Sequence, residues 1–171
     1  MIKDRKFFFF FDESRFSTHS NIGHGWIPKG KRSSVDIKLG FENFYIYSAV
    51  NPFEGNDFTL KMPNVNTGCM NIFLAEISKE LGENSAQIVM DGVGWHKARE
   101  LRIPPNITII YLPPYCPELN PVERLWLYLK QNTIKNRIYG TIEELENSIC
   151  AFINNFQKDA IKQICNLNYV V

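Results

Sequence analysis

The chain has 171 residues, of which 44% are hydrophobic and 22% charged, and its formal net charge is +1. This composition is ordinary for one globular domain with a sizeable core. No apolar run approaches the ~20 residues of a membrane-spanning helix, which excludes a membrane-spanning protein and a membrane partner. We therefore expect a single domain covering residues 1–171.

The cysteines and the N-terminal residues indicate the cytoplasm. The four cysteines are widely spaced, and neither a C-x-x-C pair nor clustered histidines accompany them. A zinc site is therefore not expected, and free thiols indicate a reducing compartment. The apolar run at residues 7–11 is too short for the core of a secretory signal, because Asp12 and Glu13 end it.

Two apolar runs along the chain end at an acid. Residues 7–11 lead into Asp12, and residues 88–90 lead into Asp91. Such runs suit strands that are buried on both faces of a sheet. Because burying an unpaired carboxylate is very costly, acids at the ends of these strands predict a functional site.

Between these two strands the sequence predicts a hairpin and a helix. Residues 35–39 alternate apolar and polar side chains, and residues 44–50 follow after a turn, which is typical of an antiparallel hairpin. An apolar stripe from Met70 to Leu81 predicts an amphipathic helix that closes at Gly82. After Asp91 we expect a short helix over residues 95–101 and a last central strand over residues 107–112.

The stretch PPYCPELNPVERLW, residues 113–126, carries the most information. Its four prolines fix φ and make a stiff loop. Asn120 stands where a helix N-cap belongs, and Pro121 follows at the first helical position. Glu123 falls at the edge of the apolar stripe of the new helix. Two interpretations of Glu123 are open: a capping box folded back onto the Asn120 amide, or a third acid of the site. A second capping box at Thr141 predicts another helix, with an apolar stripe that ends at Phe156.

Basic residues are segregated into two regions. Residues 1–40 carry eight Lys or Arg and four acids, and residues 124–138 carry four cations and no acid. This favours DNA bound through its phosphates, although ordinary solvated surfaces give the same pattern. Trp26, in the first region, would either stack on a base or pack in the core. The candidate DNA-binding residues are Lys29, Lys31, Arg32, His96, Lys97, Arg124, Lys130, Lys135 and Arg137.

Three motifs together resemble the DDE transposases of the mariner-type superfamily, in particular the bacterial insertion-sequence branch. They are DES from Asp12, DGVGWHKA from Asp91, and PYCPELNPVERLW from Pro114, and the third is the specific one. The resemblance runs from about residue 7 to the last helix. One departure is Gly92, where the family often has Asn. The resemblance implies an RNase H-like α/β fold, with a mixed central sheet, an antiparallel hairpin, flanking helices, and the first and fourth strands side by side.

The resemblance also implies a chemistry. Asp12, Asp91 and Glu123 would hold two divalent metal ions, Mg²⁺ or Mn²⁺, ~3.5–4 Å apart, for phosphoryl transfer. Asp12 and Asp91 would bind both ions or bridge them, and Glu123 would bind one. Water would attack when DNA is cut at the element ends, and the freed 3′-hydroxyl would attack when the strand is joined to target DNA. Two alternatives stay open: a stand-alone RNase H-fold nuclease, and a catalytically inert DNA-binding or assembly remnant.

Transposases of this branch usually carry an N-terminal helix-turn-helix region, and these residues show none. We expect a separate or upstream region to read the element ends in the bacterial cytoplasm. DNA is the expected partner, and a monomer and a homodimer are both open.

Overall fold

Five strands form one mixed sheet in the computed structural model, which describes residues 5–19, 29–30, 40–92, 94–96 and 98–167. Their order across the sheet is β3-β2-β1-β4-β5. The pairs β1–β2 and β2–β3 are antiparallel, whereas β1–β4 and β4–β5 are parallel. The strands are β1 (Phe8–Ser17), β2 (Asn43–Val50), β3 (Asp57–Met62), β4 (Ala86–Met90) and β5 (Ile107–Tyr111).

Helices cover both faces of this sheet. One face packs on α1 (Thr67–Leu81), and the other packs on α2 (Val122–Thr133), α3 (Ile142–Asn154) and α4 (Lys158–Ile164). The Thr141 half of the capping box predicted for α3 is present, since the Thr141 hydroxyl accepts from the Glu144 N–H. The Glu144 carboxylate accepts from the N–H of Gly140, one residue before the N-cap. Within the described residues, no helix is both long and apolar enough to cross a membrane.

The phenylalanine run of β1 feeds both hydrophobic layers. Phe8 and Phe10 pack in the layer with α2, α3 and α4, and Phe9 and Phe11 pack in the layer with α1. All four rings are between 1% and 7% exposed. Side chains alternate between the two faces of a strand, so a continuous apolar run is what a central strand between two helical layers requires.

The sheet opens between β1 and β4, and this opening creates the site. The parallel pairing of β1 with β4 ends at Phe10 and Val89. The antiparallel pairing of β1 with β2 continues to Ser17, so β1 ends five residues later than the predicted end at Asp12. Asp12 therefore lies two residues beyond the last parallel pair, in the crevice at the carboxyl ends of the parallel strands.

The observed elements differ from the predicted ones at three places. Residues 35–39 lie outside the described residues, and the strand that follows β2 in the observed hairpin is β3, which the sequence analysis did not identify. The helix expected over residues 95–101 is wrong: a 3₁₀ turn covers Gly94–His96, and the described residues 98–101 form a turn and a loop. The short helix α4 was also not predicted, because its seven residues follow α3 too closely for a separate apolar stripe to stand out.

Candidate active site

The first acid, Asp12, is mostly buried and is held by a neutral donor. Its Oδ2 accepts a hydrogen bond of 2.9 Å from the indole N–H of Trp126, a residue of α2 that is 3% exposed. Burial raises the pKa of Asp12 well above its usual value, and the carboxylates of Glu123 and Glu13 raise it further. The ionised form of Asp12 is therefore unfavourable until a cation offsets its charge.

The second acid, Asp91, follows directly after β4 and keeps half of its side-chain surface exposed. Its Oδ1 lies 2.8 Å from Nδ1 of His96. The same ring nitrogen lies 3.0 Å from the main-chain oxygen of Asp91. Since both neighbours are acceptors, Nδ1 carries a proton and donates.

The His96 ring is buried beside two acids. Its side chain is 1% exposed, and its Nε2 lies 3.6 Å from Oε2 of Glu13, an ion-pair distance rather than a hydrogen bond. Burial lowers the pKa of His96, but the hydrogen bond to Asp91 and the Glu13 carboxylate outweigh burial and raise it to about 9. The predicted contact of His96 with DNA stays a prediction, and in this structure the ring is enclosed by its neighbours.

The third acid, Glu123, is exposed in the first turn of α2. The capping-box interpretation requires its carboxylate to accept from the Asn120 main-chain N–H. That N–H instead donates to the main-chain oxygen of Pro117, at 2.9 Å. The structure thus leaves the Glu123 carboxylate at the cavity, where the alternative interpretation places it.

Asn120 ties the start of α2 to the strand that carries Asp12. Its Nδ2 donates a 2.9 Å hydrogen bond to the main-chain oxygen of Phe11, and its Oδ1 accepts from the Val122 N–H at 3.2 Å. The Asn120 side chain is 5% exposed, so both bonds are shielded from water. Glu123 is therefore brought close to Asp12 by a single buried side chain.

The three acids line one cavity of about 460 Å³. Most of the remaining wall comes from the proline loop, residues 112–117. Tyr115 in that loop is fully exposed and has φ of 59°, a left-handed conformation that a residue with a side chain seldom adopts. Over the described part of the chain, no three His, Cys, Asp or Glu side chains lie close enough together to hold one metal ion. The acids thus surround the cavity without meeting at a single point.

These residues nevertheless fit divalent metal ions. All three acids offer carboxylate oxygens, the ligand type that Mg²⁺ and Mn²⁺ prefer. The pKa of Asp12 is raised by burial and by two neighbouring carboxylates, so the cavity contains negative charge that a cation would stabilise.

Lys130, one of the predicted DNA contacts, lies beside the acids. Its ammonium is 5.5 Å from the centroid of the Phe16 ring, within cation–π range. Burial lowers the pKa of Lys130, and the charges of Glu123 and Asp12 oppose that shift. Lys130 therefore places a positive group near Glu123 and Asp12.

Arg124, another predicted DNA contact, also has a structural role. Its Nε donates a 2.9 Å hydrogen bond to the main-chain oxygen of Ile164, and its Nη2 donates to the main-chain oxygen of Asn166. These carbonyls lie at the C-terminal end of α4, where helix carbonyls lack intrahelical partners and favour a cation.

The remaining predicted DNA contacts stay predictions. Lys29, Lys135 and Arg137 are exposed. Lys31, Arg32 and Lys97 lie outside the described residues, and so does Trp26.

Sequence analysis missed the functional contacts of three residues. Trp126 was assigned to the core stripe of α2, although its position three residues after Glu123 places both on one side of the helix. Asn120 was interpreted only as a helix cap. Glu13 was noted only within the first motif. The sequence did contain a signal that Glu13 has a buried partner. Successive residues of a strand face opposite sides of the sheet, so Glu13 cannot share the partner of Asp12 and needs its own.

The chain matches a known family over most of its length. Residues 8–146 match the family model described as DDE superfamily endonuclease. The uncharacterized protein y4pE/y4sA of Sinorhizobium fredii is 38% identical over 111 residues, which cover 64% of this chain and 82% of that protein. The insertion element IS630 uncharacterized 39 kDa protein of Shigella sonnei is 26% identical over 151 residues, which cover 85% of this chain and 44% of that protein.

Solved structures show the same fold. The Mos1 transposase paired-end complex with left transposon end matches with a TM-score of 0.73 at 12% identity, over 93% of this chain and 51% of that one. The Mos1 mariner paired end complex with Mn matches with a TM-score of 0.73 at 10% identity, over 95% and 52%. The chain thus spans about half the length of these transposase chains. The predicted RNase H-like fold is confirmed, and the chain belongs to the DDE superfamily endonuclease family.

Proposed function

We propose that this chain is the catalytic domain of a transposase, which cuts DNA at the ends of a mobile element and joins the freed 3′ end to target DNA. The observation that supports it is the arrangement of Asp12, Asp91 and Glu123. These acids come from the end of the β1–β4 pairing, the residue after β4 and the first turn of α2, and they line one cavity. A fold needs no such convergence of carboxylates for stability, because like charges repel.

In this proposal the three acids would hold two divalent metal ions, Mg²⁺ or Mn²⁺, with Asp12 and Asp91 as ligands of both ions and Glu123 as a ligand of one. Such ions, when bound, activate the attacking oxygen and stabilise the leaving oxygen of an in-line phosphoryl displacement. The protein supplies the arrangement: Trp126 orients Asp12, and Asn120 fixes Glu123 near it. The manganese in the related Mos1 complex supports this choice of metal.

DNA is the proposed substrate, bound through phosphates by exposed cations such as Lys29, Lys135 and Arg137. Phosphate contacts position a protein on DNA but do not read its sequence. The chain spans about half of the Mos1 chains and 44% of the insertion-element protein. We therefore include in the proposal a helix-turn-helix region, separate or upstream, that recognises the element ends in the bacterial cytoplasm.

A cleavage and joining assay tests this proposal. The chain, alone and fused to a candidate end-recognition region, is incubated with labelled element ends, target plasmid, and Mg²⁺, Mn²⁺ or a chelator. We expect metal-dependent nicking followed by joined products, both lost in Asp91→Asn. Nicking without joining would identify a stand-alone nuclease, and a folded protein that nicks under none of these conditions would be an inert remnant.

A further inference from the structure

His96 and Glu13 form a buried pair on the α1 side of the sheet, outside the cavity that the acids line. Glu13 follows Asp12 on β1, and successive strand residues point to opposite faces, so Glu13 faces away from Trp126. Its side chain is 13% exposed. On β2 it is paired in register with Tyr47, which is 0% exposed. A carboxylate at such a position is costly unless a cation lies beside it.

The His96 ring lies beside that carboxylate and is itself held from several directions. The Phe11 ring packs edge-on against the imidazole, with 5.7 Å between ring centroids and an angle of 74° between the planes. The Tyr111 hydroxyl donates a 2.6 Å hydrogen bond to the main-chain oxygen of His96. Glu13 lies 3.6 Å from Nε2. These contacts leave the ring little freedom to turn, so its Nδ1 stays directed at Asp91.

Asp91 requires such a support because it lies beyond the last residue of β4. The strand pairing that fixes the main chain ends at Met90 and Tyr111. Nδ1 of His96 contacts both the carboxylate of Asp91, at 2.8 Å, and its main-chain oxygen, at 3.0 Å. One ring nitrogen thus fixes both the turn of the chain and the orientation of the carboxylate, while half of the Asp91 side chain stays exposed toward the site.

We propose that His96, backed by Glu13, is a positioning residue that sets the orientation of the Asp91 carboxylate for divalent metal binding. This inference rests on the proposed function, since it takes Asp91 to be a metal ligand. Glu13 acts through the ring, and the ring acts through Asp91. Groups that hold a metal ligand in this way contribute about 10- to 100-fold to metal affinity.

Two amide substitutions of His96 test the roles of its two ring nitrogens separately. His96→Asn keeps a donor near the Nδ1 position and removes Nε2, whereas His96→Gln keeps a donor near Nε2 and removes Nδ1. We expect the dissociation constant for Mn²⁺, measured by titration calorimetry on the 171-residue chain, to rise about 10- to 100-fold in His96→Gln and less than tenfold in His96→Asn. The dissociation constant of Glu13→Gln for Mn²⁺ should lie between those of the two His96 variants. His19→Gln, at an exposed histidine, is the matched control and should bind as the wild type does.

The unfolding free energy of every variant is measured alongside its Mn²⁺ affinity. Equal losses of affinity in His96→Asn and His96→Gln, or losses that simply follow stability, would make His96 a structural residue and overturn the inference. Wild-type affinity in a folded His96→Gln variant would overturn it as well. If His96→Gln does not fold, Glu13→Gln decides, because it keeps the ring and loosens its support. The proposed function fails instead if the wild type binds no Mn²⁺, or if Asp91→Asn binds it equally well.

Discussion

Asp12 and Asp91 line the same cavity, but they are supported in opposite ways. Asp12 receives a hydrogen bond from the neutral indole of Trp126, on the α2 side of the sheet. Asp91 receives one from the charged ring of His96, on the α1 side. A neutral donor orients a carboxylate but leaves its charge in place, whereas an imidazolium orients the carboxylate and also offsets its charge. Lys130 brings a positive group near Asp12 and Glu123, but burial lowers its pKa, so we expect a metal ion to stabilise this part of the site most.

The largest effect is expected at the third acid, Glu123, which is exposed in the first turn of α2. Glu123→Ala should lower the rate of metal-dependent strand cleavage by about 1,000-fold or more, because a lost metal ligand removes several kcal/mol of transition-state stabilisation. The melting temperature should change little, since Glu123 is exposed. Glu118→Ala, five residues earlier in the proline loop, is the matched control. Wild-type cleavage by Glu123→Ala together with loss of cleavage by Glu118→Ala would transfer the role of third ligand to Glu118.

Asn120 ties the start of α2 to β1, and substituting it should cause the largest change in the free energy of unfolding. Asn120→Ala leaves the buried Phe11 main-chain oxygen without its donor, which costs about 2 kcal/mol. Urea unfolding followed by circular dichroism measures this cost. Asn120→Asp keeps the acceptor for the Val122 N–H and removes only the donor to Phe11. It should also destabilise, and equal stability of Asn120→Asp and the wild type would contradict the role assigned to the Phe11 contact.

Trp126→Phe tests the neutral support of Asp12 directly. The substitution keeps an aromatic ring against Phe16 and removes the indole donor, so the loss of stability should be about 1 kcal/mol. Mn²⁺ affinity should fall about tenfold, by the reasoning applied to His96. Leu125→Val, a neighbouring core change on α2, is a control that costs stability without touching Asp12. If both variants lower metal affinity equally, the hydrogen bond does not orient Asp12.

Asp12→Asn and Asp91→Asn should change stability in different directions. This difference distinguishes the support of Asp12 by Trp126 from the support of Asp91 by His96. Asp12→Asn removes a buried charge that two carboxylates repel, so the metal-free chain should gain about 1 kcal/mol of stability, as is common when a site is relieved of functional strain. Asp91→Asn removes the partner of a buried imidazolium, so it should give no gain or a loss. Thermal melts in chelator measure both effects. The stabilisation by Mg²⁺ seen in the wild type should disappear in both variants. A gain of similar size in both would show that His96 does not offset the charge of Asp91.

Much of this arrangement could be predicted from the sequence, and what was missed has one physical cause. Asp12, Asp91 and Glu123 stand next to apolar runs or a proline-fixed helix start, so local patterns drew attention to them, although the pattern at Glu123 also fitted a helix cap. The partners of these acids are distant in the chain: 114 residues separate Trp126 from Asp12. Arg124 and His96 were assigned to DNA because charge alone does not show whether a side chain is already paired within the fold. The strand β3 was missed because its edge position leaves it only partly buried, which weakens its apolar pattern.

The smallest expected effect is on DNA binding, where exposed cations can be compared with Arg124. Arg137 and Lys135 are exposed, whereas Arg124 donates to the main-chain oxygens of Ile164 and Asn166. Each phosphate contact adds about 0.9 to the slope of log affinity against log salt concentration. Arg137→Ala should therefore lower this slope by about 1 and leave stability unchanged, whereas Arg124→Ala should lower stability and leave the slope unchanged. Fluorescence titrations of element-end and scrambled duplexes at several salt concentrations measure both. We expect weak binding without preference for the ends, and a clear preference by these 171 residues alone would reveal a sequence-reading element within them.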